Sequence, residues 1–266
     1  MVGGRYSCSS ARSRHAADEI RGTAVKSSVA VNRKRLLWLA LVVVLSIVVA
    51  YQTVDSASEQ SAMFVAEADI PTVAPGVDVL SGVAEVPVRI RGYDYRRAAF
   101  GESWTDENDA PGGHNGCDTR NDILDRDLVD KTYVSISRCP NAVATGILHD
   151  PYSNATIAFV RGNQSGADVQ IDHLVPLAYA WDQGARNWTD EMRVRFANDP
   201  ANLLAVQGQA NEDKSDGEPA AWMPPNRAFW CQYAVQFVAV LRGYGLPVDG
   251  PSAPVLREAA ETCPKG

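Results

Sequence analysis

A basic cluster, an apolar run and four later cysteines together constrain this chain more than any other feature. Arg33-Lys34-Arg35 precedes an uncharged run from Leu36 to Tyr51, and Cys117, Cys139, Cys231 and Cys263 all lie beyond it. The run is slightly short for a spanning helix and slightly long for a signal-peptide core. Residues 36–51 therefore read as a signal peptide, with Ala50 or Ala57 before the cut, or as a signal-anchor helix. If the run is retained, it makes the membrane a partner and leaves the C-terminal part outside. Either way that part is extracytoplasmic, secreted or anchored. Residues 1–35, which hold Cys8, read as a basic cytoplasmic leader, and a start at Val31 would shorten it to a compact charged segment.

Outside the cytoplasm an even number of cysteines reads as two disulfides, with three possible connectivities. Cys117 with Cys139 and Cys231 with Cys263 is the preferred set, because each pair brackets one compact segment. Each bond is expected to add roughly 3 kcal/mol by restricting the unfolded chain. The competing reading, structural zinc, lacks a C-x-x-C or a Cys/His cluster at ligand spacing.

Residues 52–86 mix Ser, Ala, Val, Pro and Glu without a sustained period and read as a flexible linker. The folded domain is placed at 87–266. Within it, helices are expected over 93–100, 119–128 (capped by Asp118 or Thr119), 177–184, 189–197 and 225–243. Strands are expected over 132–137, 144–148, 156–160, 169–172 and 203–206. This is an α+β domain, a small β core among helices.

Beyond residue 50 there are 17 basic and 30 acidic residues. That balance counts against a broad basic face gripping nucleic acid by counterion release. It does not exclude phosphodiester chemistry, because a bound divalent cation supplies positive charge locally.

The candidate chemistry lies in Asp172-His173-Leu174-Val175-Pro176. Imidazole titrates near operating pH and suits activation of a water. Consecutive side chains on a strand point to opposite sides, so Asp172 and His173 can flank one phosphate only if the strand turns there, and Pro176 helps to stop it. Asn211 offers a neutral oxygen for a hard cation. Lys214, three residues later, shares a helical face with Asn211 and reads as a phosphate contact or as a solvated charge.

The ordered set Ile171-Asp172-His173-Leu174-Val175-Pro176, Asn202-Leu203-Leu204-Ala205-Val206 and Asn211-Glu212-Asp213-Lys214-Ser215-Asp216 resembles the HNH, or ββα-metal (His-Me finger), nucleases. It is similar to the HNH domain of the RNA-guided CRISPR nuclease in its order of Asp-His, Asn and Asn-x-x-Lys-Ser-Asp. A longer resemblance is to secreted actinobacterial HNH-family proteins related to the C-terminal nuclease domain of the GmrSD restriction enzymes. It includes Asn115-Gly116-Cys117-Asp118-Thr119-Arg120, Asp150-Pro151-Tyr152, Phe159-Val160-Arg161-Gly162 and Trp222-Met223-Pro224-Pro225-Asn226.

The resemblance implies a ββα-metal core embedded in a mostly helical, disulfide-stapled domain. It implies His173 as general base, Asp172 and Asn211 as metal ligands, and Asn202 as the brace of the loop that orients the histidine. Asn211 departs from a literal His-Asn-His pattern and favours Mg²⁺ or Mn²⁺ over zinc. Blander readings stand beside these. Asn202 can cap a turn after Asp199-Pro200, and Arg120 and Arg161, candidate substrate contacts, can pair with carboxylates. Asp150 reads as a turn residue; Trp222 and Tyr233 read as core aromatics. His114 and His149 have no ligand spacing.

The function expected is an exported metal-dependent endonuclease acting on DNA, with RNA also open and no obligate protein partner evident. The alternatives are a non-catalytic surface-binding module on the same fold and a phosphodiesterase for smaller phosphoesters.

Overall fold

An apolar run such as Leu203-Leu204-Ala205-Val206 must be covered on both faces, and the domain is arranged around that need. The computed structural model describes residues 37–39, 41–46, 71–74, 76–162 and 165–265. The chain separates into two units, residues 1–56 and 57–266. In the first, residues 37–39 and 41–46 are helical. Among the described residues no helix is long and apolar enough to cross a membrane. The expected leader, residues 1–35 with Cys8 and the Val31 start, the rest of the apolar run, both expected cut points and residues 52–70 lie outside the described residues.

The second unit contains β1 (Glu85–Val86), α1 (Thr119–Asp127), β2 (Leu128–Val134), β3 (Ala142–His149), β4 (Thr156–Val160), α2 (Ser165–Asp168) and β5 (Val169–His173). It continues with α3 (Leu177–Asp182), α4 (Asp190–Asn198), β6 (Leu203–Gln207), α5 (Gly208–Lys214), α6 (Trp230–Tyr244), β7 (Val248–Asp249) and α7 (Ser252–Ala260). β2, β3 and β4 form an antiparallel sheet in sequence order; β5 pairs antiparallel with β6, and β1 pairs parallel with β7.

The two-stranded ribbon β5–β6 lies between two apolar cores. Val169 and Ile171 of β5 and Leu203 and Ala205 of β6 join Ile123, Leu124, Leu148 and Phe159 in the smaller core, beneath α1 and the three-stranded sheet. The alternate residues Leu204 and Val206 face the larger core, where Phe196, Tyr233, Phe237, Leu241 and Leu256 pack. Period-two alternation thus places one strand in two cores. β6 runs straight into α5, because Gly208 permits a close turn: a Cβ there would lie 1.8 Å from the Ala167 carbonyl oxygen.

Local chemistry accounts for the ends of the helices. The Asp118 carboxylate accepts from the Asn121 amide at 2.8 Å and starts α1. α6 was expected to span 225–243. Instead a 3-10 turn at Arg227–Phe229, capped by Asn226, precedes Trp230, and the left-handed residue that ends the helix is Gly245 rather than Gly243. α2, α7, β1 and β7 have no counterpart in the expected elements. α7 buries mainly small residues, Ala253, Ala259 and Ala260, and the two strands are too short to show a period.

Part of the expected 52–86 linker is packed against the domain. Leu80 is buried in the larger core, with Val79 and Val83 against it, and Arg242 donates to the Val79 and Ser81 carbonyls. These contacts and the β1–β7 pair join residues about 160 positions apart, which no local pattern reveals. The disulfides are Cys117–Cys139 and Cys231–Cys263, the bracketing pairs.

Two glycines should respond in opposite ways to alanine. Gly208→Ala forces α5 away from α2 and should lower the urea-unfolding free energy by roughly 1–3 kcal/mol. Gly243→Ala, in α6 with nothing within 4 Å of the added carbon, should raise it by roughly 0.5–1 kcal/mol.

Candidate active site

The ribbon and the helix after it bring together the polar residues that the rest of the core excludes. Gln170 and Asp172 alternate with the core-facing Val169 and Ile171. The Asp172 Oδ2 atom accepts from Tyr152 Oη at 2.6 Å and from Lys214 Nζ of α5 at 2.7 Å. Lys214 also donates to the His173 carbonyl at 2.7 Å. Its side chain has no solvent exposure and that of Asp172 has 7%. Burial lowers the Lys214 ammonium from its usual proton affinity, while Asp172 opposes that shift. The Tyr152 hydroxyl is pushed well above 10 by burial and by the Asp172 charge, so it remains a donor.

Lys214 is therefore neither a phosphate contact nor a solvated helix-face charge. Both expectations assumed an exposed helix face, and α5 turns this one onto β5. With Oδ2 held from behind, Asp172 Oδ1 takes no hydrogen bond among the described residues.

His173 ends β5, and its ring lies on the other side of the backbone. Nε2 is 2.9 Å from the Ala197 carbonyl oxygen. A carbonyl only accepts, so Nε2 carries the proton and Nδ1 is the basic atom. The ring stacks on Trp104, with centroids 5.3 Å apart and planes 13° from parallel. Burial pulls the proton affinity down to about 3; the Ala197 hydrogen bond opposes this, and the charges of Arg97 and Lys214 add to it. The imidazole is therefore neutral at physiological pH.

Asn202 is fully buried. Its Oδ1 accepts from the Val175 amide at 2.8 Å, its Nδ2 donates to the Val175 carbonyl, and its own carbonyl accepts from the Leu174 amide. These bonds hold the turn that follows His173. Asn202 also ends a 3-10 turn that Asp199 caps, so the turn reading describes its backbone and the brace its side chain.

Asn211 Nδ2 donates to Gln170 Oε1 at 2.7 Å, which leaves its amide oxygen without a partner among the described residues. Asp172, His173, Asn211, Arg120, Arg97 and Trp104 line one cleft of about 680 Å³. Neighbouring residues of a strand open into the same space because the cleft lies over the end of β5.

The remaining candidates divide. Arg120 reaches the cleft wall and donates to the Val169 carbonyl at 2.9 Å. Arg161 is not brought there; it donates to the Val143 carbonyl and to Asn121 Oδ1, tying β4 to β3 and α1. Asp150 caps its turn through Ser153 and accepts from the Gln207 amide at 2.9 Å, fixing the end of β6. Tyr152, Trp104 and Arg97 were missed as site residues. Only Tyr152 carried a signal, through Asp150-Pro151-Tyr152; no spacing pointed to the other two.

Asp172 and Asn211 form a hard-oxygen pair, one carboxylate and one amide, each with its other atom already committed. That chemistry fits Mg²⁺ or Mn²⁺ completed by waters. No cluster of three or more His, Cys, Asp or Glu residues suited to a metal occurs among the described residues.

Residues 118–248 match the family model described as the GmrSD restriction endonucleases, C-terminal domain. The chain is 37% identical over 150 residues to an uncharacterized secreted protein of Arthroderma benhamiae, covering 55% of this chain and 68% of that relative. No solved structure gives a significant match.

Two measurements probe the buried groups. Lys214→Met leaves the Asp172 charge unpaired and should cost roughly 3–5 kcal/mol in unfolding free energy measured in chelator, whereas Asp172→Asn/Lys214→Met should recover most of it. The His173 proton affinity is depressed on folding, so its contribution to stability is present above pH 6.5 and is lost as the pH falls from 6.5 toward about 3. His173→Gln should flatten the fall of unfolding free energy across that window.

Proposed function

The chain belongs to the family of the GmrSD restriction endonucleases' C-terminal domain, and on that premise we propose that it is an exported, metal-dependent HNH-type endonuclease. The observation that carries the reading is the convergence of Asp172, His173 and Asn211 on one cleft, each fixed from behind by the protein. The succession β5, β6, α5 is the frame expected of a ββα-metal core.

The roles follow from which atoms remain free. His173 Nδ1 takes the proton of the attacking water, and the Ala197 carbonyl keeps Nε2–H in place throughout. The face of Trp104 favours the imidazolium that forms. An incoming phosphate anion raises the proton affinity of a ring that burial holds low, moving it toward operating pH. Asp172 and Asn211 would hold Mg²⁺ or Mn²⁺, which when bound supplies positive charge against the phosphate. Lys214, Tyr152 and Asn202 are positioning residues: the first two aim the Asp172 carboxylate, and Asn202 holds the turn beyond His173.

Nucleic acid is the substrate class that the family favours, with DNA foremost. Two disulfides and a secreted relative support an extracytoplasmic location.

The test is incubation of the full chain with supercoiled plasmid and Mg²⁺ or Mn²⁺, with and without EDTA, beside His173→Ala. Cleavage should stop in EDTA and fall by about 10²- to 10⁴-fold in the variant. Undiminished cleavage by His173→Ala would remove the general-base assignment.

A further inference from the structure

Most arginines of the domain are already committed. Arg89 and Arg91 pair with Asp216 and Glu218, Arg186 with Asp94 and Asp182, and Arg257 with Asp78 and Glu85. In an acidic protein that is the expected fate of a guanidinium. Arg97 is different. Among the described residues it makes no hydrogen bond or ion pair, it is exposed, and it lines the cleft together with Asp172, His173 and Asn211. It also borders a smaller recess with Trp104, His173 and Ala197, so it stands beside both the imidazole and the carbonyl that orients it.

The backbone that carries Arg97 is well anchored. It opens the 3-10 turn Arg97–Phe100, whose Phe100 is buried against Phe196 and Trp181, and the Ala99 carbonyl accepts from Arg193 Nε at 2.9 Å. A fixed base under a free guanidinium favours binding of an outside anion, because little backbone order remains to be lost. The other cleft arginine, Arg120, already donates to the Val169 carbonyl, which leaves Arg97 as the cleft's uncommitted cation.

Resting on the nuclease reading above, we propose that Arg97 is the phosphate-holding residue of the cleft. Its guanidinium takes two non-bridging oxygens of the phosphodiester that His173 faces, in the forked geometry that arginine and phosphate share. It thereby positions the phosphorus for attack and offsets the charge that builds on those oxygens.

Two assays on the full chain decide this. In single-turnover cleavage with Mn²⁺, Arg97→Ala should lose on the order of a hundredfold in rate, Arg97→Lys should recover part of it, and Arg96→Ala should be unaffected. Arg96 is an exposed neighbour outside the cleft lining, and its removal changes net charge equally. In the second assay, a labelled single-stranded oligonucleotide is titrated in Mg²⁺ into His173→Ala, which does not turn it over. Adding Arg97→Ala should weaken binding and reduce the slope of log Kd against log salt by about one.

Equal rates and slopes with and without Arg97, or an equal loss in Arg96→Ala, overturn the proposal and leave the nuclease reading intact. Failure of the parent to cleave any nucleic acid overturns that reading, while the binding assay still decides on Arg97. Binding that depends on Arg97 upholds the phosphate seat; binding that ignores it, or no binding, removes it.

Discussion

The Lys214 ammonium, without solvent contact, reaches Asp172 Oδ2 and the His173 carbonyl at 2.7 Å each. Two charges taken out of water attract strongly only when further hydrogen bonds complete the site, and Tyr152 supplies one to the same carboxylate oxygen. This interaction joins α5 to β5. It fixes where Asn211 lies relative to Asp172, and hence whether the two oxygens can serve one cation. Removing either charge leaves the other buried and unpaired, so the geometry of the site and the stability of the domain are linked.

The same design recurs around the cleft. Each group that opens to the cleft is held by a partner: Asp172 by Lys214 and Tyr152, His173 by the Ala197 carbonyl and Trp104, Asn211 by Gln170. These partners set orientation and protonation, and Asp172 Oδ1, His173 Nδ1 and the Asn211 amide oxygen are left to the cleft. Asn202 works one step further back, on the turn after His173. Because these supports come from α4, α5, β5 and the loops before them, the site depends on both apolar cores that clamp the ribbon.

Much of this was legible in the sequence wherever the signal was local. The 156–160 strand, the cap at Asp118 and the bracketing disulfides followed from alternation, capping chemistry and cysteine spacing. What was hidden depended on distant partners. Lys214 reads as a surface charge because its spacing from Asn211 says only that they share a face, not which neighbour that face meets. Trp104 lies in an irregular segment, Arg97 lies in the expected 93–100 helix, of which only the 3-10 turn Arg97–Phe100 forms, and the β1–β7 pair joins residues too far apart and too few to leave a pattern. Arg161 looked like a cleft residue by its place in a conspicuous segment, yet its guanidinium serves backbone and amide acceptors inside the fold.

In the proposed site Asp172 and Asn211 would be the metal-binding pair while His173 remains free as a base. Anomalous diffraction from crystals soaked in Mn²⁺ tests it most directly. One peak is expected in the cleft within about 2.0–2.6 Å of Asp172 Oδ1 and Asn211 Oδ1, the range for hard cations on oxygen, with His173 Nδ1 outside the coordination shell. A peak bound to His173 Nδ1, or manganese sites only elsewhere on the protein, would contradict it.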